Sequence, residues 1–139
     1  LANRGISDAK KMSKFLKDMN IKIDKVLCSN AIRAKETFDL TADGFNFEID
    51  KATYLDKLYF GDTTTIIQDL RELDESLNNI LIVGHNPTLH YLVEILTNES
   101  INRFTTCNLA TISHDGEWVS LNSQQCSLKS LIRPKELNN

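Results

Sequence analysis

Two residues stand where an α/β protein places its chemistry, His85 and Arg33. His85 lies in "LIVGHNPTLHYLVEIL", residues 81–96, after the apolar run 80–83 and before a helical pattern that begins past Pro87. Ligands of α/β sheets bind outside the carboxyl ends of the strands. A helix N-terminus at that place adds unpaired N–H groups and the positive end of the helix dipole. An imidazole there can meet a phosphate oxygen, or it can be a polar turn residue with no task; the segment alone leaves both open. Arg33 occupies a matching junction in "CSNAIRAKET", residues 28–37. Its planar fork can fold back over the strand ends toward phosphate, or stay on the helix surface. Two such junctions, one offering Arg and the other His, favour a phosphate site over either residue taken alone.

Other chemistries fit less well. His85 and His90 are five residues apart, so on a helix they diverge and do not make the i, i+4 pair of a zinc protease. His114, beside a predicted turn at Asp115-Gly116, reads as a solvent-exposed residue. Neither a metal nor another cofactor is expected. Cys28 and Arg33 are spaced C-x4-R, one residue short of the C-x5-R loop of the cysteine phosphatases and without a glycine to open it. Cys28 therefore reads as the last buried residue of a strand. The sequence has no G-x-x-x-x-G-K-[ST] and no G-x-G-x-x-G, so nucleotide binding through those loops is not supported.

With 139 residues the chain suits one domain with a core of its own. A net charge of −3 argues against a nucleic-acid partner. Lys10, Lys11, Lys14 and Lys17 fall between apolar helix positions and read as a solvated face. The three cysteines form no C-x-x-C pair, and no signal peptide or membrane-length apolar run occurs. A reducing cytoplasm and no membrane partner are the expectation.

The elements that would position the two residues follow from periodicity. Ser7 can cap a helix carrying Ala9, Met12, Phe15, Leu16 and Met19. Residues 23–28 read as a strand and 29–40 as a helix, with a short edge strand expected at 45–49 after a turn at Gly44. Asp62 or a following threonine can cap a helix with Ile66, Ile67, Leu70, Leu73 and Leu77. Residues 80–83 suit a strand buried on both faces; Asn86 can cap the next helix, with Pro87 in its first turn. Strands are expected at 110–113, 118–121 and 127–132. Early strand–helix alternation and a late hairpin predict one α/β domain with a mixed sheet.

Four segments in order, "LANRGISDAKKMSKFLK", "VLCSNAIRAKET", "ILIVGHNPTLHYLVEIL" and "LIRPKEL", resemble the histidine phosphatase superfamily, in particular its small SixA-like phosphohistidine phosphatase branch. The resemblance spans nearly all 139 residues. It implies a single three-layer α/β domain, residues 1–139, of the phosphoglycerate mutase-like fold, with a mixed, mostly parallel central sheet flanked by helices. It further implies attack on phosphorus by a histidine of an N-terminal R-H-G or R-H-A motif, giving a phosphohistidine enzyme intermediate. By position, Arg33 corresponds to the second arginine of the phosphate clamp and His85 to the second, catalytic histidine, serving in protonated form. Phosphoryl transfer asks chiefly for positive charge and donors around the equatorial oxygens, which suits both.

The sequence contains no R-H-G or R-H-A, and the chain is expected to be a fragment lacking the strand that carries it. Asn30 stands where the family usually has proline, and Asp56 and Asp62 are the nearest carboxylates for a general acid, a role the resemblance assigns to neither. The implied substrate is phosphohistidine on a protein partner. The alternatives are a small phosphate ester or anhydride, or a non-catalytic phospho-binding regulatory module.

Overall fold

The computed structural model describes residues 3–60, 62–102, 104–105 and 107–137; Leu1 and Ala2 of the first motif lie outside them. Helix α1 spans Asn3–Met19 and is followed by β1, Lys25–Ser29, and α2, Ile32–Phe45. A 3-10 turn at Ile49–Lys51 leads into the short strand β2, Thr53–Leu55. The single-turn helix α3, Lys57–Phe60, and α4, Thr63–Arg71, precede β3, Ile80–Val83, and α5, Thr88–Thr97. Strands β4, Leu109–Ser113, and β5, Ser127–Ile132, close the chain, separated by a 3-10 turn at Trp118–Ser120.

Strands β2, β1 and β3 form a parallel sheet in that order, with Cys28 opposite Val83 and Ser29 opposite Leu55. Strands β4 and β5 make a separate antiparallel pair. Side chains alternate across β1. Val26 and Cys28 pack with Met12, Leu16 and Phe38 from α1 and α2, whereas Leu27 faces Ile66, Leu70, Leu92 and Leu96 from α4 and α5. Helices therefore cover both faces of the parallel sheet, as an all-parallel ladder requires. No helix among the described residues is long and apolar enough to cross a membrane.

Three helices end on an asparagine in the left-handed region, Asn20, Asn46 and Asn98. A short polar side chain tolerates that geometry, and at Asn46 the N–H closes on the carbonyls of Ala42 and Asp43. At the other end of α4, Asp62 caps as expected, its carboxylate accepting the Thr65 N–H at 3.0 Å.

Five local expectations are corrected. Helix α1 starts at Asn3, so Ser7 lies one turn inside it; the Gly5 this includes lowers helix propensity by only about 1 kcal/mol. Helix α2 runs on to Phe45, where an edge strand was expected, because Gly44 is a contact point between helices and not a turn. A Cβ at Gly44 would sit 2.3 Å from the Ser13 carbonyl oxygen. The edge strand is instead β2. Helix α5 begins at Thr88 with Pro87 as its cap, and the Asn86 side chain donates to the Phe104 carbonyl. Residues 118–120 form a 3-10 turn because the Glu75 carboxylate accepts the N–H groups of Trp118 and Val119, at 2.7 and 3.1 Å.

Candidate active site

His85 follows the carboxyl end of β3, and its carbonyl accepts the Leu89 N–H at 2.9 Å, which sets the turn into α5. Arg33 is the second residue of α2, whose start beyond β1 is bound through Lys35 N–H to the Ala31 carbonyl at 3.1 Å. β1 and β3 are paired neighbours, so both junctions open on the same edge of the sheet. The Ser29 hydroxyl, fully buried at the end of β1, lies 2.8 Å from His85 Nε2 and joins the two loops directly. His85 is half-buried, while Arg33 is exposed. Burial, and secondarily the Arg33 guanidinium, lower the His85 pKa from its ordinary value. A shift in that direction favours the neutral ring.

Both side chains line a cavity of about 2150 Å³ that opens between the two sheets. One wall is β3, residues 80–83, and the opposite wall is β4, residues 109–113. Among the described residues β3 pairs only with β1 and β4 only with β5, so each strand turns an unpaired edge to the cavity. Leu89, Leu92 and Met12 add apolar surface from the flanking helices.

The remaining candidates separate from this site or join it in minor ways. Asp56 accepts a hydrogen bond from Asn30 Nδ2 at 2.7 Å, one residue beyond the Ser29–Leu55 register pair, so Asn30 ties the ends of β1 and β2 together. Asp62 is occupied as the α4 cap. His90 pairs with Glu94 at 3.5 Å on α5. His114 is half-buried, not fully solvent-exposed, and its Nε2–H donates to the Glu117 carbonyl at 3.0 Å. Cys28 is fully buried, and burial, with Asp39 adding to it, pushes its thiol up to about 12. It is no thiolate at neutral pH. Ser29 is the contact that reading the sequence did not single out, and the Asn30 bond to Asp56 was not foreseen. Ser29 could be found from its place at a strand end beside a candidate site, but its link to His85 spans 56 residues.

Residues 1–76 match the model of the histidine phosphatase superfamily, branch 1. An uncharacterized protein of Mycobacterium leprae is 30% identical over an alignment covering 97% of this chain and 86% of that protein. The phosphohistidine phosphatase SixA of Escherichia coli is 27% identical, with 83% of this chain and 73% of its own length covered. A protein histidine phosphatase SixA solved in complex with tungstate superposes with a TM-score of 0.85 at 28% identity, covering 99% of this chain and 86% of that one.

Proposed function

Because this chain belongs to the histidine phosphatase superfamily, we propose that it is the body of a phosphohistidine phosphatase acting on a phosphorylated protein. The observation that carries the reading is the meeting of Arg33 and His85 on one cavity at the carboxyl edge of the parallel sheet. A guanidinium fork offers paired donors to phosphoryl oxygens, and a neighbouring imidazole adds a further ring donor. Tungstate, the ligand of the SixA structure similar to this chain, is a tetrahedral oxyanion like phosphate, which agrees with such a site.

In this reading the nucleophile is a histidine on a strand seated between β3 and β4, where two unpaired edges face each other. Its unprotonated ring nitrogen attacks phosphorus while the P–N bond of the substrate breaks. The electron pair of that bond leaves with the substrate imidazole, which carries a proton on its far ring nitrogen and so departs neutral. Water then attacks the enzyme's phosphohistidine, the P–N electron pair returns to the enzyme's ring as neutral imidazole, and the water's surplus proton passes to solvent with release of phosphate. Arg33 and His85 hold the equatorial oxygens through both steps, and no metal is required by the scheme.

The test is direct. The codons upstream of Leu1 are read, the chain is expressed with whatever they encode, and phosphate release from a phosphohistidine-bearing protein is measured with chelator present. An encoded Arg-His pair closing an apolar strand, with metal-independent turnover, supports the reading. An upstream segment with no histidine, or binding of the phosphoprotein without hydrolysis, favours a phospho-binding module instead.

A further inference from the structure

The Ser29 hydroxyl serves two loops at once. Its oxygen accepts the Ala31 N–H at 3.2 Å and lies 2.8 Å from His85 Nε2. A hydroxyl has one proton to give, and Ser29 is completely buried, so that proton needs an acceptor inside the protein. Among the described residues, His85 Nε2 is the acceptor within hydrogen-bond distance of the hydroxyl. A ring nitrogen accepts only when it carries no proton, and in a neutral imidazole the proton then sits on the other nitrogen.

We propose that Ser29 is a positioning residue for His85: its buried hydroxyl donates to Nε2, fixes the plane of the ring between the ends of β1 and β3, and holds the resting imidazole as the neutral Nδ1–H tautomer. The imidazolium cannot accept this bond, because a proton occupies its Nε2 lone pair. The surroundings agree. Arg33, from α2, disfavours a second cation beside it. Cys28, from β1, is a neutral thiol, His90 on α5 is turned to Glu94, and Asp56 at the end of β2 is bound by Asn30. The catalytic meaning of the arrangement rests on the phosphatase reading: the site then sets the permanent cation of Arg33 beside a ring whose single N–H is already assigned.

The tautomer can be read without any turnover, so this inference and the phosphatase reading fail separately. Two-bond nitrogen–proton NMR spectra of the histidine-labelled chain distinguish Nδ1–H from Nε2–H, with His85→Gln assigning the His85 signals. The unaltered chain should show the Nδ1–H pattern near neutral pH and titrate below the ordinary imidazole value. In Ser29→Ala the titration should move upward and the Nε2–H form should gain population, with Ser29→Cys, a weak donor of similar size, lying between. An Nε2–H pattern in the unaltered chain overturns the proposal and needs no variant to be folded. So does an unchanged His85 titration in a Ser29→Ala chain whose amide spectrum remains native.

Discussion

The Arg33 guanidinium and the His85 imidazole, carried by different strand-to-helix junctions, share one cavity, and the charge of the first depresses the basicity of the second on top of its burial. The sign of the consequence for stability is fixed. The folded chain binds fewer protons at His85 than the unfolded chain once the pH drops below the ordinary imidazole value of 6.5, so acidification there disfavours the fold. The thermal midpoint should fall between about pH 7 and about pH 5 more steeply in the unaltered protein than in His85→Gln. Above that window the two profiles should run parallel. Asp24, Asp62 and Asp74, whose carboxylates accept backbone N–H groups and titrate low, act equally in both proteins and cancel in the comparison. Identical acid profiles would mean that the ring is solvated.

His85→Ala tests the role of that ring in turnover. In the active protein, loss of a donor to the phosphoryl group should lower kcat by roughly two to four decades. KM should change far less, because Arg33 and the loop amides remain. A histidine that only packs would behave oppositely, lowering the thermal midpoint while each folded molecule worked normally.

Arg33→Ala should weaken tungstate or phosphate binding to the folded chain, read by calorimetry, by on the order of tenfold or more, the scale of a lost charge-assisted hydrogen bond. Arg33→Lys should recover only part of it, since an ammonium cannot make the paired contact. Unchanged oxyanion affinity in Arg33→Ala would remove Arg33 from the site.

The thiols give a prediction of inertness. Burial raises Cys28 to about 12 and Cys107 to about 11, and also raises Cys126. Thiolate is the reactive form, so the native protein should label slowly with alkylating reagents at mildly alkaline pH and quickly in denaturant. Turnover lost in step with labelling of Cys28 would assign the chemistry to sulfur.

At the crossing of α1 and α2, Gly44 donates its N–H to Ser13 Oγ at 3.0 Å. Gly44→Ala puts a methyl group into the Ser13 backbone and should destabilise the protein by about 1–3 kcal/mol, the usual range for overpacking. A denaturant midpoint equal to that of the unaltered protein would show that the helices separate freely at this point.

The parts of the chain that could be read from sequence are those whose cause is local. The run 80–83 is β-branched and leucine throughout and becomes β3; the Asp62 cap needs only Thr65 three residues on. The meeting of Arg33 and His85 was legible as two strand-to-helix junctions, although their being adjacent depends on the pairing of β1 with β3. What was misread has distant causes. Trp118, Val119 and Leu121 suggest strand, yet a carboxylate more than forty residues away curls that stretch into a 3-10 turn. Gly44 resembles a turn residue until Ser13 is placed against it. The three residues of β2 are too few to leave a period.

The hairpin of β4 and β5 has consequences for how the molecule opens. Among the described residues no ladder joins it to the parallel sheet. It is moored from the helical side, through Glu75 at Trp118 and Val119, the Trp118 indole N–H on the Leu77 carbonyl at 2.7 Å, and the Gln124 and Cys126 amides on the carbonyls of Ile95 and Leu96. Amide exchange should therefore resolve two cooperative units. The β1 and β3 amides share the deep opening of the helix-covered sheet, while those of β4 and β5 follow the release of these hydrogen bonds and of the edge packing of Leu109, Ile112 and Ile132 against the two cores. Solvent protons should therefore exchange into the hairpin amides before those of β1 and β3.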